Sequence, residues 1–236
     1  KYSAEGEVEW AKGIGGSDQD YINTVAESSD GGIIAGGYFS SSSIDLGNGV
    51  SFSNKGDEVG MIIKYSSSGE CEWAKGIGGD SNDRITSLAE TSDGGIIAGG
   101  YFVSSIDLGN GIVLSSKGFY NGMIIKYSAE GEVEWAKEIE DLVSDEINSV
   151  AETSDGGIIA GGYFSSSSID LGNGVSLSGE GGMIIKYNAE GECEWAKVIG
   201  GSNYDYIDSV AETRDGGIIA GGYFDSNSID LGNEVV

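Results

Sequence analysis

The sequence predicts an all-β protein made of repeated four-stranded antiparallel units. Three observations carry that expectation: 42 Gly and no Pro among 236 residues, four near-identical repeats, and apolar residues that alternate or run in short blocks. Gly at this level is well above the usual ~7%, and each Gly inside a helix costs about 1 kcal/mol relative to Ala. The Gly has no collagen period, and 39% apolar residues is too many for a flexible linker.

The repeat is fixed by three phrases. Trp10, Trp73, Trp135 and Trp195 each sit in the same phrase, as in Glu7-Val8-Glu9-Trp10-Ala11-Lys12. Asp-Gly-Gly-Ile-Ile-Ala-Gly-Gly-Tyr-Phe begins without change at Asp30, Asp93, Asp155 and Asp215. Ser-Ile-Asp-Leu-Gly-Asn recurs around Asp45, Asp107, Asp170 and Asp230. The repeats are 1–63, 64–125, 126–185 and a shortened 186–236, read together as one domain.

Each repeat reads as four strands. In the first, Ile22–Glu27 is strand one, and Ser29-Asp30-Gly31-Gly32 is a turn in which Asp caps the bend and Gly takes positive φ. Strand two is Gly32–Phe39, whose run Ile33-Ile34-Ala35 suits a strand covered on both faces. Strand three, Gly60–Tyr65, holds Met61-Ile62-Ile63 and is read the same way. Strand four, Glu70–Ile77, alternates; its N-terminal copy places Val8, Trp10 and Ile14 on one side and Glu7 and Glu9 on the other. Between strands two and three, Asn48-Gly49 lies between alternating apolar residues, and so do Asn110-Gly111 and Asn173-Gly174. That pair is a strong hairpin signal, so a β-arm is expected to project from each unit.

A repeated antiparallel meander of this kind is the sequence form of a β-propeller. The chain opens in strand three and finishes after strand two, so the two ends are complementary halves of one blade. The first expectation is a four-bladed ring whose closing blade is shared by the N- and C-termini. Met-Ile-Ile does not precede Lys1, so a fragment of a larger propeller, or a ring shared by two chains, stays open. A β-solenoid is a further alternative, although its usual repeats are shorter.

The run Gly182-Met183-Ile184-Ile185-Lys186-Tyr187-Asn188-Ala189-Glu190-Gly191-Glu192-Cys193-Glu194-Trp195-Ala196-Lys197, followed by Gly-Gly-Ser and the Asp-Gly-Gly-Ile-Ile-Ala-Gly-Gly-Tyr-Phe phrase, resembles the bacterial β-propeller repeats of secreted and cell-surface proteins. The likeness covers all four repeats. Met61, Met123 and Met183 stand where that family usually has Phe, a change expected to affect core packing alone. The resemblance implies a propeller fold and an extracellular or cell-surface location. It implies no activity beyond a surface module.

Composition narrows function further. The net charge of −27 argues against nucleic-acid binding, and the absence of His removes the commonest general base and metal ligand. No run of ~18 apolar residues predicts a membrane span. Asp20, Asp83, Asp145 and Asp205 stand two residues before the Ile that opens each strand one. In a ring they would form a circle near one mouth, suited to Ca²⁺ or to turns that bond backbone N–H groups. Asp45, Asp107, Asp170 and Asp230 on the arms, with Tyr38, Tyr101, Tyr163 and Tyr223, could bind sugars once per blade; the alternative is a hairpin shaped by its Asp and Asn. Paired carboxylates also serve glycosidases. An active site, however, needs different roles at different residues, and nearly every acid here recurs in the same setting.

The Trp residues are expected between blades, and Lys64 and Lys75 are expected to pair across strands with the Glu residues around them. Cys71 and Cys193 occupy a position held by Val8 and Val133, which predicts two free, buried thiols. The sequence therefore supports a non-enzymatic structural or adhesive binding module. Its partners would be a glycan or a surface protein, with self-association by strand complementation as a further possibility.

Overall fold

The computed structural model describes residues 1–54, 57–79, 81–116, 119–139, 144–165, 168–201, 203–229 and 231. Among them are twenty strands and no helix. The first blade contains β1 (Asp20–Glu27), β2 (Ile33–Phe39), the arm β3 (Ser43–Gly47) and β4 (Val50–Ser53), then β5 (Val59–Tyr65) and β6 (Cys71–Ile77). The second contains β7 (Arg84–Glu90), β8 (Ile96–Phe102), β9 (Ser105–Gly109), β10 (Ile112–Ser115), β11 (Asn121–Tyr127) and β12 (Val133–Ile139). The third contains β13 (Glu146–Glu152), β14 (Ile158–Phe164), β15 (Ser168–Gly172), β16 (Val175–Ser178), β17 (Gly181–Tyr187) and β18 (Cys193–Ile199). β19 (Asp205–Glu212) and β20 (Ile218–Phe224) follow.

Each blade is an antiparallel meander in the order β1-β2-β5-β6, repeated as β7-β8-β11-β12 and β13-β14-β17-β18. β19 and β20 form a two-stranded sheet. The expected four-strand units and their order are therefore present, in a propeller-like series. A four-stranded closing blade is not formed among the described residues.

The core lies between successive blades. Ile34 and Ile62 of the first pack with Ile85, Leu88 and Ile125 of the second. Ile97 and Ile124 of the second pack with Ile147, Val150 and Ile185 of the third. Ile159 and Ile184 of the third pack with Ile207 and Val210 on β19. The Gly-Gly pair of strand two makes this approach possible. A methyl on Gly36 would lie 2.7 Å from Leu88 of the next blade. One on Gly37 would strike the Tyr21 carbonyl, beside the bulge that shifts the β1–β2 register between Ile22 and Thr24.

The arms form where Asn-Gly placed them, with Asn48 at φ 55° and Gly49 at φ 77°, a positive-φ pair that suits a tight hairpin turn. They do not project. Ile44 and Leu46 are 2% exposed and pack on Phe39, Met61 and Ile63 of their own blade, because alternation gives each arm one apolar face that must be covered.

The N-terminal copy of strands three and four also departs from expectation. Residues 1–14 hold a single antiparallel bridge, Tyr2 to Val8. The equivalent β6, β12 and β18 each have a neighbouring strand carrying Met-Ile-Ile to supply a ladder. Among the described residues no such strand pairs with residues 1–14.

Candidate functional site

The four aspartates before strand one are drawn into their own blades. Asp20 accepts bonds from Gly16 N–H (2.8 Å), Ser41 N–H (3.2 Å) and the Ser41 hydroxyl (2.6 Å). Asp205 accepts from Gly201 N–H (2.8 Å), the Ser226 hydroxyl (2.8 Å) and the Asp225 N–H (3.1 Å). Asp83 accepts from Gly79 and Val103 N–H, and Asp145 from Ser165 N–H. Each carboxylate thus ties the entry and exit of strands one and two together. Among the described residues, no three His, Cys, Asp or Glu side chains are grouped to hold a metal ion.

Their electrostatics differ for a local reason. Burial works upward on Asp20 and Asp205, but the Ser41 and Ser226 hydroxyls and the surrounding N–H groups bring both below the ordinary carboxylate value. The second repeat is one residue shorter after Phe102, and Val103 supplies only an N–H. Burial therefore dominates at Asp83 and raises it to about 6.

Asp45, Asp107 and Asp170 face outward, each after a buried Ile and before a buried or half-buried Leu. Asp45, Asp107 and Asp170 each accept the N–H two residues on, at 2.9 Å, which shapes the hairpin turn. Asp230 lies outside the described residues. A hollow of about 300 Å³ on the first arm is lined by Ser43, Ile44, Asp45, Gly49 and Ser51. Tyr38 does not line it, so Asp45 and Tyr38 do not meet there.

Tyr38, Tyr101 and Tyr163 are 4–8% exposed. They belong to a row of stacked rings and charges running from blade to blade. Tyr21 stacks on Tyr38 at 5.0 Å, and the Arg84 guanidinium lies 4.2 Å over the same Tyr38 ring. Tyr101 meets Tyr120 edge-on at 4.9 Å, and Tyr206 stacks on Tyr163 at 4.5 Å. Tyr223, on the open side of β20, is 54% exposed. Sequence reasoning missed Arg84 and Glu58, which form a two-pronged ion pair at 2.5 and 2.7 Å. A signal existed: Tyr21, Arg84, Glu146 and Tyr206 share one repeat position, where otherwise near-identical repeats differ in chemistry.

Beside Glu58 an open cleft of about 570 Å³ is lined by Asp18, Gln19, Ser40, Asp57, Glu58 and Asn82. Asp57 and Asn82 also line a neighbouring hollow of about 200 Å³ with Ser81, Val103, Tyr120 and Phe119, whose ring is 71% exposed. Carboxylates, an amide and hydroxyls beside an uncovered aromatic face suit a polyhydroxylated ligand, since a ring face can stack on apolar C–H surface while polar groups bond hydroxyls.

The remaining charges hold the blades. Lys126 Nζ lies 3.0 Å from Asp93 and 3.3 Å from Glu134, and Lys186 repeats this with Asp155 and Glu194. Lys64 does the same with Asp30 at 2.8 Å and Glu72 at 3.6 Å. The cross-strand Lys–Glu pairs were expected; the turn aspartates as their third partner were not. Cys71 and Cys193 are free and buried, as expected, and burial pushes the Cys193 thiol up to about 11.

No family model and no curated protein matches the chain. Among solved structures, a Bacteroides caccae protein of unknown function is similar at 12% identity and a TM-score of 0.45, over 84% of this chain and 52% of that one. The chain thus spans about half the length of that relative. The Pan2 WD40 domain of Neurospora crassa is similar at 12% identity and a TM-score of 0.28, over 81% of this chain and 68% of that one. No helix among the described residues is long and apolar enough to cross a membrane.

Proposed function

We propose that the chain is an arc of a β-propeller that acts as a non-enzymatic binding module outside the cell or on its surface. The observation that carries this reading is the cleft beside Glu58, with exposed Phe119 in the adjoining hollow. The repeated acids support the non-enzymatic part, because Asp20, Asp83 and Asp205 each bind two or more groups of their own blade. The extracellular part is supported by the resemblance of the repeated phrases to bacterial secreted and cell-surface repeats.

The ligand class we favour is a glycan, bound between the first two blades and not on the arms. A glycan array probed with the whole chain tests this. Binding should depend on Phe119 and Asn82, so Phe119→Ala should abolish array signal while leaving the melting temperature unchanged. Silence across the array would remove the glycan and leave a surface protein as the partner to seek.

Two arrangements fit the repeats: a four-bladed ring closed by the chain's own ends, or part of a larger propeller. Exposed Val25 on β1 and exposed Ile219, Tyr223 and Phe224 on β20 support the second.

A further inference from the structure

Each junction between blades carries a triad of side chains. Its first member precedes strand three: Glu58, Tyr120 and Glu180. The second is the tyrosine one residue before the end of strand two: Tyr38, Tyr101 and Tyr163. The third stands at the start of strand one in the next blade: Arg84, Glu146 and Tyr206. The backbone brings the first and third members together in the same way at the first two junctions. Asp83 N–H bonds Glu58 O at 3.0 Å, and Asp145 N–H bonds Tyr120 O at 2.8 Å.

The first and third junctions are chemically closed. At the first, Arg84 donates two N–H groups to Glu58 at 2.5 and 2.7 Å and lays its guanidinium 4.2 Å over the Tyr38 ring. At the third, the Tyr163 hydroxyl donates to Glu180 at 3.2 Å, and Tyr206 stacks on Tyr163 at 4.5 Å. In both, the carboxylate has a donor and the tyrosine ring has a partner.

The second junction is left open. Its carboxylate is Glu146, in the place where the other junctions hold a cation or an aromatic ring. Tyr101 and Tyr120 meet edge-on at 4.9 Å. Among the described residues, the half-buried Glu146 side chain accepts no hydrogen bond and makes no ion pair. Burial pushes its carboxyl up, and Arg84 offsets part of this from a distance, with both prongs held by Glu58. Burial also raises the Tyr101 phenol; Arg84 opposes that rise and Glu146 adds to it, so Glu146 lies within electrostatic reach of the ring. A carboxylate taken partly out of water without a counter-charge costs stability, and the negative face of an aromatic ring gives it no compensation. The triad lacks a cation.

A primary ammonium group fits the gap. It carries three N–H donors, which a carboxylate and two phenol oxygens can accept, and it gains further from the aromatic faces. Tyr120 also lines the hollow that holds Asn82 and exposed Phe119, so a sugar on the Phe119 ring has this gap beside it. Asp18 and Asp57 in the adjoining cleft and the net charge of −27 draw cations toward the same face.

We infer that the junction between the second and third blades seats a primary ammonium group, with Glu146 as its counter-ion beside Tyr101 and Tyr120, and that the glycan in the adjoining hollow is an amino sugar with free amines. This inference rests on the glycan reading of the cleft and hollow and narrows it.

Calorimetric titration of the whole chain tests it with two probes. One is an oligomer of glucosamine; the other is the matching oligomer of N-acetylglucosamine, whose amines are capped as neutral amides. The wild type should bind the glucosamine oligomer about 10-fold or more tighter than the capped one, as a charge-assisted bond is lost on capping. Glu146→Gln should make the two probes equal, with the melting temperature unchanged or slightly raised because an unpaired carboxylate is gone. Glu146→Tyr, which copies the third junction, should do the same, so either variant can stand for the other if one fails to fold. Glu190→Gln removes the same charge from an exposed turn and should leave the preference intact. Phe119→Ala should remove binding of both probes. A preference that survives both Glu146 variants, or that disappears equally in Glu190→Gln, overturns the inference, as does equal binding of the two probes by the wild type. In each of those cases, binding that depends on Phe119 leaves the glycan reading standing. Binding of neither probe also overturns the inference, and silence across the glycan array is the separate result that removes the broader reading.

Discussion

The glycines that let one blade approach the next give a sharp contrast between identical sequences. Ile-Ile-Ala-Gly-Gly-Tyr-Phe forms β14 and β20 alike. At Gly161 an added methyl would lie 2.6 Å from both Ile207 and Val210. Carbon atoms pack best at about 3.5–4.0 Å, so one blade must retreat by about 1 Å. Overpacking of this kind costs about 1–3 kcal/mol. For a chain of this size each kcal/mol moves the melting temperature by about 2–4 °C, so Gly161→Ala should melt about 2–12 °C below wild type. Gly221→Ala meets nothing within 4 Å, so in dilute solution it should melt at or slightly above wild type, as the unfolded chain loses freedom. The assay is thermal unfolding of the dilute chain followed by circular dichroism. Equal melting of Gly161→Ala and wild type would refute face-to-face blade packing. Equal loss in both variants would show that β20 is covered as β14 is.

Asp83, raised to about 6 by burial, should make the protein less stable as pH rises. Between the ordinary value of 3.8 and about 6 the native state holds more proton than the unfolded state, so this group's contribution is best below that window and is lost through it. Urea midpoints from pH 4 to 7 should show the decline, flattened in Asp83→Asn; an unchanged slope would refute it. Lys126→Met should destabilise by about 1 kcal/mol, modest because Asp93 is 60% exposed, and should let the Asp93 carboxyl rise from about 2 toward its ordinary value in an NMR titration. Neither Cys71 nor Cys193 should react with a thiol reagent until the chain unfolds, when both should titrate; reaction of the native protein would contradict their burial. Ca²⁺ and chelator should leave the melting temperature unchanged, since Asp20, Asp83 and Asp205 are bonded to their own blades; a Ca²⁺-dependent rise would reopen the ring of aspartates as a cation site.

Most of the blade was legible in the sequence because each device is local. Asn48-Gly49 needs two positive-φ residues and forms the arm turn. The Gly36-Gly37 pair marks a place where side chains would collide, and one residue clears the next blade while the other clears a bulge. What was not legible depends on direction or on neighbours. Asp20 could face an axis or its own turn, and only Ser41, 21 residues on, decides. Tyr38 looked available for a ligand, but its ring lies under Tyr21 and Arg84, the latter from another repeat. The arms looked free because Ile44 and Leu46 alternate with polar residues, yet that same alternation presses them onto Phe39 and Met61.

Repetition also explains why the candidate site was harder to read than the fold. A feature copied in every repeat reports what a blade needs in order to stack, and stability in such arrays is close to a sum of units and nearest-neighbour contacts. The lysine bridges belong to that class, and so do Glu90, Glu152 and Glu212, which accept from the turn N–H groups of Ser29, Ser92 and Ser154 in the preceding blade. Residues that break the copy report something else. Arg84 replaces Tyr21 and recruits Glu58 beside the polar cleft, and Phe119 stands exposed at the adjoining hollow. Arg214 stands where the other turns have Ser29, Ser92 and Ser154, and Asp208 where Asn23 and Asn148 donate an amide N–H, both beside β19–β20. Two of these departures, Arg84 and Phe119, stand beside the cleft and hollow between the first two blades. That is the surface we propose for the ligand.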